Sequence, residues 1–459
     1  MTPLACGGAH TPWLWPLLGR LHFYIGLLVG PFLLVAALSG MLYALTPQLE
    51  QALYHDQFHT DTASGEPLTL ARQVSLARDA HDGETAPLAV RPAPTPGQTT
   101  RVILADERLG QGEHMAIFVD PITGEVRGQL PVYGTSGITA FRILVSKFHR
   151  QLLLGDAGRL YSELAASWLW VAALGGLALR CRRRARHDRS KPGSGASRWH
   201  RRLGPWALIG FLLFSATGLT WSQYAGNNIG KLRAHYGWQT PSVATELEGG
   251  APASDAAGIH AGHASAAHAQ MAIDPVLFDR VLAAARADGI GADKVEITPA
   301  AGPDRAWTVS EIGREWPTEV DQAAIDPETL AIVDRTRFET FPLAAKLTRW
   351  GVDLHMGVLF GVINQWVLVV LAAALVAMTL LGYAIWWRRR PTHRHGVAPV
   401  TLWRALWRAP LAARLAVVAI AALIGWALPV LGVSLVLLMG IDAGVALHQR
   451  RKRTHAPAR

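Results

Sequence analysis

Thiols are nearly absent from this chain. Of its 459 residues only Cys6 and Cys181 are cysteines, so no disulfide framework is expected. Acidic residues are missing from long stretches: outside 50–163 and 246–353 the only ones are Asp188 and Asp442. No G-x-G-x-x-G follows a strand-like segment, so there is no dinucleotide fingerprint. Nor is there a convincing catalytic triad or carboxylate pair, and acid–base chemistry on a substrate is not expected.

Apolar sequence is abundant instead. Half the residues are hydrophobic, and several runs exceed the roughly 18 apolar residues that mark a membrane-spanning helix. Spans are expected at about 21–45, 160–179, 205–223 and 363–387. A further run, 411–447, is broken by Pro429 and reads as a helical hairpin turning at 426–429. The first run is too long to be a cleavable signal peptide, and no small-residue cleavage site follows it.

The net charge of +10 is gathered at the ends of these runs. Arg180-Cys-Arg-Arg-Arg-Ala-Arg186 with Arg189, Lys191, Arg198, Arg201 and Arg202 lies between the second and third spans. Arg388-Arg-Arg390 follows the fourth, and Arg450-Arg-Lys-Arg453 lies near the C-terminus. Short basic flanks of apolar runs face the cytoplasm. The lipid bilayer is therefore the expected partner, with no nucleic acid. Both termini and both cysteines are expected inside, and the loops 47–159 and 224–361 outside.

Four histidines repeat with their surroundings. His22 opens the first span and His200, in Trp199-His-Arg-Arg-Leu-Gly204, opens the third; at the same offset Ser39-Gly40 recurs as Thr217-Gly218. His149 (Phe148-His-Arg-Gln-Leu-Leu-Leu-Gly155) and His355 (Leu354-His-Met-Gly-Val-Leu-Phe-Gly361) each precede another span. The offset from His149 to His355, 355 − 149 = 206, also carries Asp120-Pro-Ile-Thr123 onto Asp326-Pro-Glu-Thr329. Asp-Pro-x-Thr is turn chemistry and implies a β-hairpin in each loop. Helical spacing over 70–80 and 275–287, followed by strand-like segments at 100–104, 115–120, 294–298 and 307–311, makes each loop a small α+β unit. Amphipathic helices are expected at 140–149 and 343–355. Each half starts on the same side of the membrane, which implies parallel repeats.

These motifs, taken in order, resemble the PepSY-associated transmembrane family over roughly residues 19–390. That resemblance implies an α-helical polytopic membrane protein with four core transmembrane helices and two PepSY-like periplasmic domains. The 411–447 hairpin lies outside it. The expected division is 1–46 with the first span, 47–159 as periplasmic domain 1, and 160–223 with spans two and three. Residues 224–361 then form periplasmic domain 2, 362–390 the fourth span, and 391–459 the linker, hairpin and basic tail. Family members include inner-membrane reductases of ferric siderophores, in which histidines bind b-type haem.

Neutral imidazole suits haem iron. Ionisable groups in membrane bundles are costly to desolvate, so they are usually functional. His22 with His200 near the inner face, and His149 with His355 near the outer, could each supply both axial ligands of one haem. No C-x-x-C-H is present, so two non-covalent bis-histidine haems b are expected. Electrons from a cytoplasmic or quinol donor would then reach a ferric siderophore or other ferric chelate. Two alternatives stay open: a regulatory scaffold with structural histidines, and a haem donor to another periplasmic oxidoreductase. His260, His263 and His268 read as solvated linker, and His393, His395, His448 and His455 as basic flanks near anionic lipid. Trp168, Trp170, Trp386 and Trp387 read as interface anchors. Trp307, Trp316 and Tyr133 fit either substrate contact or domain core.

Overall fold

The computed structural model describes residues 13–62, 64–110, 112–133, 137–185, 194–247, 273–388 and 401–454. The chain divides into two compact units. One is Met1–Leu42, Lys147–Leu232 and Trp366–Arg459; the other is Tyr43–Ser146 and Arg233–Gln365. Helices are numbered in chain order.

The first unit is helical. α1 (Leu14–Tyr24) passes through a π-helical turn, Ile25–Val29, into α2 (Gly30–Ala44), and together they make a 31-residue apolar helix. α7 (Gly155–Ala185), α8 (Gly195–Thr220) and α12 (Gly361–Arg388) are likewise long and apolar enough to cross a membrane. The four expected spans fall on these helices, although the third, α8, ends at Thr220, short of the expected 223. Hydrocarbon offers no hydrogen-bond partners, so helices that keep their backbone bonds internal are the form such runs must take.

The 411–447 run folds as two helices, α14 (Leu411–Ala427) and α15 (Pro429–Thr454), after the short α13 (Leu402–Trp407). Pro429 has no amide proton and starts the second helix, where none is needed. A Cβ on Gly425 would lie 3.0 Å from the Gly432 Cα, so small residues let the backbones touch. The hairpin is anchored to the first helix by Asp442, whose side chain is 1% exposed. Its Oδ1 accepts from Tyr24 Oη at 2.7 Å and lies 3.4 Å from Arg20 Nε. Trp168 was expected as an interface anchor but is 1% exposed and donates to Ser434 Oγ at 2.8 Å. The hairpin supplies that acceptor, so the indole is inside the bundle rather than at its rim.

Glu163, fully buried on α7, accepts from the amides of Tyr224 and Ala225, both at 2.9 Å. Those amides open α9 (Tyr224–His235). A carboxylate from one helix thus answers the unpaired amides at the start of another.

The second unit holds α3 (Thr46–Leu53), α4 (His55–Phe58), α5 (Leu70–Asp79), α6 (Ala140–Gln151, continuing into the first unit), α10 (Val276–Asp288) and α11 (Leu343–His355). Its strands are β1 (Pro87–Arg91), β2 (Thr100–Leu104), β3 (Glu113–Val119), β4 (Val126–Tyr133), β5 (Ile138–Thr139), β6 (Val295–Thr298), β7 (Trp307–Glu311), β8 (Gln322–Ile325) and β9 (Ile332–Thr336). The expected helices, strands and both Asp-Pro hairpins are present. The two halves do not stand as separate small domains, however. They share one antiparallel sheet in the order β5-β4-β3-β2-β1-β6-β7-β8-β9. One apolar core, with Val74 and Phe278 from the two helices and Val102 and Val309 from the strands, serves both halves. Trp307, 3% exposed and 4.8 Å from the Phe278 ring, belongs to that core.

The halves join at β1 and β6, where Val90 pairs with Ile297. Arg91 and Glu296 flank that pair with an Nη2–Oε2 distance of 2.6 Å, both largely buried. The repeat offset carries residue 90 onto 296 and 91 onto 297, so the seam is a two-fold ladder within one chain. Asp279 on α10 reinforces it by accepting from the amides of Leu70 and Ala71 at the start of α5, both at 2.8 Å. In the hairpins, Gly124 and Leu330 are repeat counterparts, and both are left-handed (φ 75° and 61°). Glycine adopts that backbone freely; Leu330 holds it at a cost of roughly 1–2 kcal/mol, with its side chain packed against the core.

Removing one partner of a largely buried ion pair costs about 3–5 kcal/mol, whereas replacing both by apolar residues is often close to neutral. Arg91→Met is therefore expected to lower stability by about that amount. Arg91→Met combined with Glu296→Leu should recover most of it. Denaturant unfolding of the three variants checks this, and a double variant no better than the single one would contradict it.

Candidate functional site

Of the four repeated histidines, His22 and His200 are brought face to edge in the helical unit. Their ring centroids are 6.3 Å apart with the planes at 78°. His200 Nδ1 lies 3.0 Å from the Met378 carbonyl oxygen. A carbonyl only accepts, so Nδ1 carries the proton and Nε2 keeps its lone pair. On His22, Nδ1 is buried without a well-formed hydrogen bond among the described residues, although the Ala172 carbonyl acts on the ring. Ala172 and Met378 are themselves 206 residues apart (378 − 172), so corresponding carbonyls serve the two rings.

Glycines make the room for both rings. A Cβ on Gly176 would lie 3.1 Å from His22 Cε1, and one on Gly382 would lie 3.9 Å from His200 Cε1. These too are separated by 206 (382 − 176). Both histidines line a cavity of about 210 Å³, together with Gly204, Arg180, Arg183 and Arg201 among others.

His149 sits in the last turn of α6 and lies in the same unit against the far end of the first helix. Its Nδ1 is 2.9 Å from Ser39 Oγ. Ser39 Oγ also lies 2.7 Å from the Val35 carbonyl oxygen, so the hydroxyl stands between that carbonyl and the imidazole. A Cβ on Gly40 would lie 3.2 Å from His149 Cε1. Ser39-Gly40 thus supplies a hydrogen bond and space for a ring. Burial, with Arg150 beside it, pushes the His149 pKa down to about 4, which keeps the imidazole neutral at physiological pH. Ser39 lies 17 residues beyond His22 on one continuous helix, about 25 Å along its axis. That approaches a hydrocarbon thickness of about 30 Å.

His355 ends α11 in the other unit. There Asn364 Nδ2 donates to the Leu354 carbonyl at 3.0 Å. The buried Asp353 carboxylate is held by Arg349 at 2.8 Å and Arg314 at 3.7 Å. His448 is exposed, whereas His260, His263, His268, His393, His395 and His455 lie outside the described residues. Trp316 is 58% exposed.

The inner pair fits a bis-histidine metal site. With about 2 Å from metal to nitrogen and about 1 Å more to each ring centre, two axial imidazoles have centres roughly 6 Å apart. The observed 6.3 Å agrees. A Nδ1 turned to a carbonyl is the usual support of a ligating histidine. The arginines beside the cavity suit a cofactor with anionic side groups. The cavity is smaller than a whole porphyrin, so the spacing rather than the volume carries the fit. The sequence pointed to the histidines and to Ser39-Gly40. It missed Gly176, Gly382 and the carbonyls of Ala172 and Met378, which the 206 offset would have paired.

The family model described as PepSY-associated TM region matches residues 19–389, most of the chain, and the protein belongs to that family. No curated protein matches the chain.

The two glycines make a graded test. Gly176→Val forces branched carbons onto His22 and should cost about 1–3 kcal/mol. Gly382→Ala meets only ordinary contact and gains up to about 1 kcal/mol of helix propensity. Melting temperatures in detergent should therefore fall for the first and hold or rise for the second. The reverse order would discard the placement of the His22 ring.

Proposed function

We propose that this member of the PepSY-associated transmembrane family is an inner-membrane electron-transfer protein that reduces a ferric chelate, such as a ferric siderophore, in the periplasm. The observation that carries this reading is the His22–His200 pair: two imidazoles at ligand spacing, each with a backbone carbonyl acting on its ring. Haem b bound between paired imidazoles supplies a one-electron carrier whose potential the surrounding protein tunes. His22 and His200 would hold one such group, and His149 is a candidate ligand of a second. Ser39 engages His149 through Nδ1, and Gly40, Gly176 and Gly382 leave space for the rings. The basic residues beside the inner pair face a cytoplasmic or quinol donor, with both termini inside and the sheet unit in the periplasm.

Ferric iron held by hard oxygen ligands loses affinity for them on gaining an electron, so reduction alone releases the metal. Proton transfer by a side chain is not required. The roughly 25 Å between His22 and Ser39 along one helix supports two carriers at different depths. It favours transfer across the membrane over a role at one face.

Purified, dithionite-reduced protein should show the absorption bands of a b-type haem. His200→Ala and His149→Ala should each remove about half of that signal, one per pair. Ferric siderophore should reoxidise the reduced protein, whereas the iron-free chelator should not. A colourless protein from haem-replete cells would sink the proposal. Reoxidation by no ferric chelate, with the colour intact, would leave an electron carrier with another acceptor.

A further inference from the structure

The sheet unit contains a pocket that the histidines do not use. Its volume is about 610 Å³, and Glu50, Gln51, Phe58, Arg101, Thr139 and Arg142 are among the residues lining it. That size is within the range of about 300–1,000 Å³ common to small-molecule sites. Two cations near it are already neutralised. Arg142 is 2.5 Å from Glu50 Oε2, and Arg91, next to the pocket, is bound to Glu296. Glu50 also accepts from Thr139 through its other oxygen.

Arg101 is different. It projects from β2 with its guanidinium over the Phe58 ring at 4.8 Å and the Phe118 ring at 5.4 Å. It makes neither hydrogen bond nor ion pair with the described residues. Burial, with Arg91 as a like charge nearby, lowers its pKa to about 10, so it remains a cation. The one acidic group that acts on it, Glu50, is engaged elsewhere. A desolvated guanidinium without a partner is costly, and a ligand carboxylate can meet its planar fork with two parallel bonds. The aromatic rings hold the fork in place, and Phe58 and Ala52 give the pocket an apolar wall.

The geometry points to a binding site for a small polycarboxylate, free or as the ligand shell of a metal chelate, clamped by Arg101 with Gln51 and Arg142 beside it. If the bound form is the ferric chelate, the pocket is where the terminal acceptor docks; that clause alone rests on the electron-transfer reading.

Titration calorimetry of the full chain in detergent tests this with three probes: citrate, gallium citrate and a neutral gallium trihydroxamate. Gallium is not reduced under these conditions, so binding is read independently of any haem. Citrate or gallium citrate should bind and the neutral chelate should not. The stronger of the two anions identifies the form the pocket takes. Arg101→Gln should weaken binding by about tenfold or more, the loss of one charge-assisted bidentate contact. Arg101→Lys should restore part of it. If Arg101→Gln fails to fold, Gln51→Glu, which sets a carboxylate in the wall, should abolish binding. No binding by either anion, or binding unchanged in the folded variant, overturns the proposal.

Discussion

Hydrocarbon supplies no partner for a polar atom, so each one placed there has to be answered by the protein itself. The helical unit is organised around that constraint. Glu163 is spent on two helix-opening amides, Asp442 on Tyr24 and Arg20, and the Trp168 indole on Ser434. The imidazoles follow the same rule with one difference. Met378 and Ser39 engage His200 and His149 through Nδ1. For His200 the partner is a carbonyl, which only accepts, so the lone pair of that ring is on Nε2.

Several of these arrangements come in positions 206 residues apart. Carbonyls at 172 and 378 act on the two inner rings, and glycines at 176 and 382 make room for them. The correspondence is imperfect. Leu330 keeps the left-handed backbone that Gly124 adopts freely, accepting strain in exchange for a side chain in the core. His22 also lacks the well-formed hydrogen bond that His200 makes.

Much of this was legible from residue order. The spans, the Asp-Pro hairpins, the helices carrying His149 and His355, and the turn at Pro429 all follow local rules of hydropathy, turn chemistry and period. Pairing between distant segments was not legible. Nothing in the β1 or β6 sequence announces that Val90 meets Ile297, because strand partners are chosen by long-range packing. Trp168 looked like a rim residue because its hydrogen-bond acceptor lies 266 positions away in a hairpin outside the family region. The Arg101 pocket was invisible for the same reason, being assembled from β2, the α3 helix and the start of α6.

The ion pair at the sheet seam decides which strands can meet. Arg91 and Glu296 face each other on the rung beside Val90 and Ile297, with one sign on each half. Two first halves joined the same way would set Arg91 opposite Val90 of the copy, and two second halves would set Glu296 opposite Ile297. A largely buried charge that loses its partner is costly, so only unlike halves close the ladder with both charges paired. During synthesis the first half must wait, with β1 an open edge, until roughly two hundred further residues have emerged. A neighbouring chain at the same stage offers that edge a valine where the arginine needs a carboxylate. The seam therefore favours closure within one chain over pairing with a copy.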